Sequence, residues 1–149
     1  MDRPDLERAL ATRLSPVSRA WRQLADETLA RLGVSNSTGW CLVYMQRLGA
    51  DARQADLARA IGIREASLVP TLNRLEASKL VERRPDPRDR RANNLLLTEA
   101  GRALALEIEA ELTGLRADLL AGLPSGDIEA ALRVCDTLDR HISERRTVT

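Results

Sequence analysis

Histidine and cysteine are nearly missing from this 149-residue chain, and most side-chain chemistry goes with them. The two cysteines, Cys41 and Cys135, lie far apart with no CxxC spacing, so neither a disulfide framework nor a zinc site is expected. The single histidine, His141, has no serine or cysteine nucleophile at a telling distance, and the chain has no glycine-rich phosphate loop and no HExxH motif. No catalytic residue, no metal and no cofactor are therefore expected, and the chain does not read as an enzyme. No apolar run approaches the roughly 18 residues of a membrane helix. The first residues, MDRPDLERAL, are too acidic and polar for a signal peptide, so a cytoplasmic protein with no membrane partner is expected. Phenylalanine is absent, and the only aromatics are Trp21, Trp40 and Tyr44.

What the chain does contain is an ordinary globular balance, 44% apolar and 30% charged residues, in a length that suits one domain. The net charge of +1 conceals an asymmetry. Residues 52–91 hold ten basic against six acidic residues, whereas residues 92–149 hold six against ten. A basic middle between neutral and acidic flanks is the pattern of a polyanion-binding module.

Apolar residues recur three or four apart from Leu6 to Leu32, predicting a long amphipathic helix interrupted or bent near Ser15 and Pro16 and ended at Gly33. Ser35 to Thr38 offer N-caps for a second helix through Trp40 and Tyr44 to about Leu48. A short helix over Gln54–Ala60 with Gly62 as its stop, followed by an amphipathic segment from Arg64 to Lys79, reads as a helix-turn-helix. Leu80 to Arg84 and Asn93 to Leu97 read as two strands around the turn-rich loop from Pro85 to Arg91, a β-hairpin wing with an arginine-rich tip. Thr98 caps a helix with apolar residues at 104, 108, 112, 115, 119 and 123, and Ser125 caps a last one with 128, 131, 132, 135, 138 and 142 on one face. The fold class is mainly α with a small β-hairpin wing. The winged helix-turn-helix occupies 35–97, and residues 1–34 and 98–149 form a helical dimerisation region, in which apolar stripes bury each other between two copies.

Pro70 falls inside the second helix of the pair, where it forfeits one backbone bond. On a helical wheel Leu68, Leu72 and Leu75 turn inward, leaving Ala66, Pro70, Asn73, Arg74 and Ala77 outside with Ser67 at the border. Arg74 suits guanine or a phosphate, Asn73 adenine, Ser67 a base edge or a backbone oxygen, and Ala66 and Pro70 a thymine methyl. In the wing Arg90 suits a narrow minor groove, and Arg83, Arg84 and Arg88 suit phosphates. Arg64 and Arg91 complete the DNA-contacting set. The expected partner is thus double-stranded DNA. Both cysteines fall on apolar faces and read as buried hydrophobes; oxidant sensing through Cys41 or Cys135 is an alternative, as is a winged helix used for protein–protein contact.

These residues resemble the MarR family of winged-helix transcriptional regulators. The run LVERRPDPRDRRANNLLLTEAGRAL, Leu80 to Leu104, is similar to its wing, with a D-x-R pattern at Asp89 and Arg91 and L-x-L-T-x-x-G at Leu95, Leu97, Thr98 and Gly101. QADLARAIGI and SLVPTLNRLE are similar to its two helix-turn-helix helices, in the SlyA-like branch. The resemblance implies a homodimeric repressor of a pseudo-palindromic operator, with one recognition helix in the major groove and one wing in the minor groove of each half-site. It implies that Asp89 steadies Arg91 in support of the wing. It also implies release by a small aromatic carboxylate, with Arg19, Trp40 and Thr71 at the ligand positions; Tyr44, four residues after Trp40 on the same helix, is added to them as a neighbouring aromatic, core packing being the other reading of the two rings. The family's usual arginine before Thr71 is Pro70 here.

Overall fold

The computed structural model describes residues 1–50, 52–89 and 91–147. Among the described residues nine elements follow in order: α1 (Arg3–Arg31), α2 (Asn36–Leu48), β1 (Ala52–Arg53), α3 (Gln54–Ile61), α4 (Glu65–Ala77), β2 (Val81–Pro85), β3 (Asn93–Leu97), α5 (Glu99–Leu119) and α6 (Ser125–Thr147). The chain divides into two compact units, Met1–Leu115 and Arg116–Thr149.

Local chemistry sets most boundaries in the first unit. Asp2 caps α1 by accepting the Asp5 N–H at 2.9 Å, and Ser35 caps α2 by accepting the Thr38 N–H. Of the two expectations at Pro16, interruption does not occur: α1 runs on through it as one helix. A single mid-helix proline removes one bond, and the bonds on either side keep the segment helical. Gly62, at φ +83°, takes the left-handed conformation that closes α3, its N–H reaching the Ala58 carbonyl at 2.9 Å. That tight stop lets α4 start three residues later.

The sheet has three antiparallel strands in the order β1-β3-β2, one more than the expected hairpin. The additional strand is β1, two residues whose Ala52 and Arg53 pair with Leu95 and Asn94. Across β2 and β3, Val81 pairs with Leu97 and Arg83 with Leu95. The core gathers Leu29 of α1, Cys41, Leu42 and Val43 of α2, Leu57 of α3, Leu68, Leu72 and Leu75 of α4, Val81 and Leu95 of the sheet, and Ile108 of α5. Each fully buried leucine or isoleucine there contributes about 1.5–3 kcal/mol.

The junction of wing and α5 is held by polar contacts. The Thr98 hydroxyl donates to the Lys79 carbonyl at 2.7 Å and accepts the Gly101 N–H at 3.0 Å, while the Thr98 N–H reaches the Leu80 carbonyl. A Cβ at Gly101 would stand 1.9 Å from that same Leu80 oxygen, so only glycine fits.

In the second unit α6 has no buried residue, and Leu132, Val134 and Ile142 are exposed. Cys135 is exposed as well, against the expectation that it is a buried hydrophobe.

Candidate nucleic-acid interface

The outward face of α4 is as the wheel places it. Leu68, Leu72 and Leu75 are buried, and Ala66, Ser67, Pro70, Asn73 and Arg74 are exposed, with Arg64 exposed at the N-cap. Thr71 is buried on the inner side and Val69 is exposed, so the inner face is narrower at one edge than the apolar residues alone suggest. Arg74 is steadied rather than loose: its Nη2 donates to Ser37 Oγ at 3.3 Å and to Thr71 Oγ1 at 3.4 Å, tying the recognition helix to the start of α2.

The wing arginines do not form one equivalent set. Arg84 and Arg91 are exposed, Arg84 pairing with Glu82 at 2.9 Å, and Arg88 is exposed beside the turn. Arg83, expected at a phosphate, instead lies half-buried against α4, its Nη2 donating to Asn73 Oδ1 at 2.5 Å and its Nε 3.5 Å from Glu76 Oε2. Arg90, expected in the minor groove, lies outside the described residues. Asp89 accepts the Arg91 backbone N–H at 3.0 Å, where the resemblance implies support of the wing; the contact shapes the turn through the main chain.

Sequence reasoning missed the carboxylate that organises the base of the wing. Asp86 is only 6% exposed; its Oδ1 accepts the Arg88 backbone N–H at 2.8 Å and its Oδ2 accepts Arg53 Nη2 at 2.7 Å. Its own N–H reaches the Ala92 carbonyl across the loop. The Arg88 N–H, and then the Arg53 guanidinium, hold its carboxyl below the usual carboxylate range against the opposing effect of burial. Arg53 comes from β1, so this ion pair joins the helix-turn-helix to the wing. Nothing local in the sequence marks a pair 33 residues apart.

The expected ligand residues are dispersed in their contacts. Trp40 is buried, its Nε1 donating to Asp26 Oδ1 at 2.8 Å, and Arg22 rather than Arg19 lies over its ring, 3.9 Å from the centroid. Arg19 is exposed and donates to Ser15 Oγ within α1. Tyr44 is half-buried, 6.3 Å from Trp40 between ring centroids, with Arg47 over it at 5.3 Å. A cavity of about 300 Å³ lies elsewhere, between Met45, Gln46, Leu95, Leu97 and Arg102, and none of the four expected residues lines it. Cys41 is fully buried, and burial pushes its thiol up to about 12. Among the described residues no helix is long and apolar enough to cross a membrane, and no group of acidic, histidine or cysteine side chains could hold a metal.

The sequence profile of the MarR family matches residues 32–92. The transcriptional regulator PA3341 is 30% identical, with a TM-score of 0.83 over 91% of this chain and 98% of that one. The transcriptional repressor CouR bound to a 23-mer DNA duplex is 22% identical, with a TM-score of 0.75 over 93% and 98%. CouR from Rhodococcus jostii RHA1 bound to p-coumaroyl-CoA is 20% identical, with a TM-score of 0.71 over 84% and 87%.

Proposed function

The chain belongs to the MarR family of transcriptional regulators, and from that premise we propose that it is a homodimeric repressor that reads a pseudo-palindromic operator and is released by a small aromatic, carboxylate-like effector. One observation carries the DNA-binding part: the exposed face of α4, from Arg64 to Arg74, stands beside a wing that adds Arg84, Arg88 and Arg91. Outward polar groups on a recognition helix read base edges, and arginines on the adjoining hairpin neutralise phosphates. A relative of the same fold has been solved on a DNA duplex.

Two-fold operator symmetry calls for two copies of the chain. Residues 1–34 and 98–149 are the proposed dimerisation region. Along α1, Leu6, Leu10, Leu14 and Val17 are 45–60% exposed, and α6 buries nothing of its own, so both helices offer apolar faces for a second copy to cover. Release by an aromatic ligand rests on the relative solved with p-coumaroyl-CoA and on the aromatic pair Trp40 and Tyr44. Oxidant sensing gains nothing from Cys41, whose buried thiol stays protonated.

The test is a gel shift on the intergenic DNA next to this gene, at low salt and without ligand. A shift that resists excess unrelated duplex supports the proposal; no shift at micromolar protein overturns it.

A further inference from the structure

We propose that Arg83 fixes the Asn73 amide as a hydrogen-bond donor toward DNA, so that this position of the recognition helix selects guanine over adenine. The proposal rests on the DNA-binding reading above and adds a specificity to it. Asn73 is exposed on the outer face of α4, and Arg83 Nη2 stands 2.5 Å from its Oδ1. Arginine carries donors only, so the amide atom facing it is the oxygen, whichever way the amide is otherwise drawn. The Nδ2 amino group is thereby turned away from Arg83.

Arg83 is well placed to impose this. Its side chain is only 21% exposed, and Glu76, one turn beyond Asn73 on the same helix, stands 3.5 Å from its Nε. Its backbone sits mid-strand, paired with Leu95. The guanidinium is therefore seated between two residues of one helix face, with limited freedom to leave for a phosphate. Arg83 is a positioning residue acting through Asn73.

The consequence follows from base edges. An asparagine reads adenine with both ends of its amide, accepting from N6 and donating to N7. Here Oδ1 is already engaged, and its second lone pair would have to take the adenine amino hydrogen beside a positive charge. Guanine offers two acceptors, O6 and N7, to the same amino group, and meets no such conflict.

The experiment selects binding sites from randomised duplexes with the wild-type protein. It then measures fluorescence anisotropy on the selected duplex with each base replaced in turn. The position read by Asn73 is the one where Asn73→Ala, a surface change, loses discrimination. Wild type is expected to prefer guanine over adenine there by about fivefold or more, the worth of one hydrogen bond. Arg83→Met is expected to erase that preference whatever it does to overall affinity, and Arg83→Lys, which keeps a donor, to retain it. Adenine preferred by wild type, discrimination untouched by Asn73→Ala, or an Arg83→Met ratio within twofold of wild type would each overturn the proposal. If circular dichroism shows Arg83→Met unfolded, the wild-type ratio and Arg83→Lys decide. A wild-type protein that selects no sequence would refute DNA reading itself, before any variant is compared.

Discussion

Cys41 shows how burial decides the chemistry of a single residue. Thiolate is the reactive species, and with the pKa near 12 almost none exists at neutral pH. A thiol reagent is therefore expected to modify at most one cysteine per native chain and two in denaturant; fast labelling of both in the native state would contradict the buried placement. Asp86 illustrates the opposite shift. Its folded carboxyl titrates below its unfolded value, so its contribution is fully present above the ordinary carboxylate range of about 4 and is lost as pH falls through the folded value. Asp86→Asn is expected to lower stability at neutral pH, with the gap from wild type narrowing under acid, as read by urea unfolding across pH. A gap that stays constant with pH would mean that the carboxylate's contacts with the Arg88 N–H and the Arg53 guanidinium do not stabilise the wing. The burial of Cys41 was legible in the sequence from its place on an apolar helix face, whereas the role of Asp86 was not. The partner of Asp86 lies on β1, and only the sheet brings the two within 2.7 Å.

Among the elements, the helices were the most legible, because three-and-four spacing and caps such as Ser35 and Thr98 are local signals that the fold keeps. β1 was not, since two residues have no period to read, and its pairing with β3 is a property of the sheet. The packing of Arg83 was not legible for a similar reason. An arginine in a basic hairpin reads as a phosphate contact, whereas the register of β2 sets it against α4. Pro70 was located correctly on the exposed face of α4, and the helix continues through it to Ala77. The missing bond to the Ala66 carbonyl still has an energetic cost, so Pro70→Ala is expected to raise stability by about 1 kcal/mol, a small part of the roughly 3 kcal/mol interior penalty because it lies near the helix start. Thermal unfolding reads this directly, and an unchanged or lower midpoint would show that the ring is stabilising where it stands.

For the whole molecule, the charge pattern and the wing motif pointed to DNA before any coordinates did, while the terminal helices gave only apolar stripes. Those stripes acquire meaning within each unit: apolar residues of α1 are exposed in the first, and α6 has no buried residue in the second. Dimerisation and symmetric reading of DNA are therefore one claim, because each half-site needs its own α4 and wing. Hydroxyl-radical footprinting of the purified protein on its selected operator tests that claim most directly. Two equivalent protected patches are expected, centred about 10 base pairs apart or a multiple of that spacing. A single patch, with one chain bound per duplex, would contradict it.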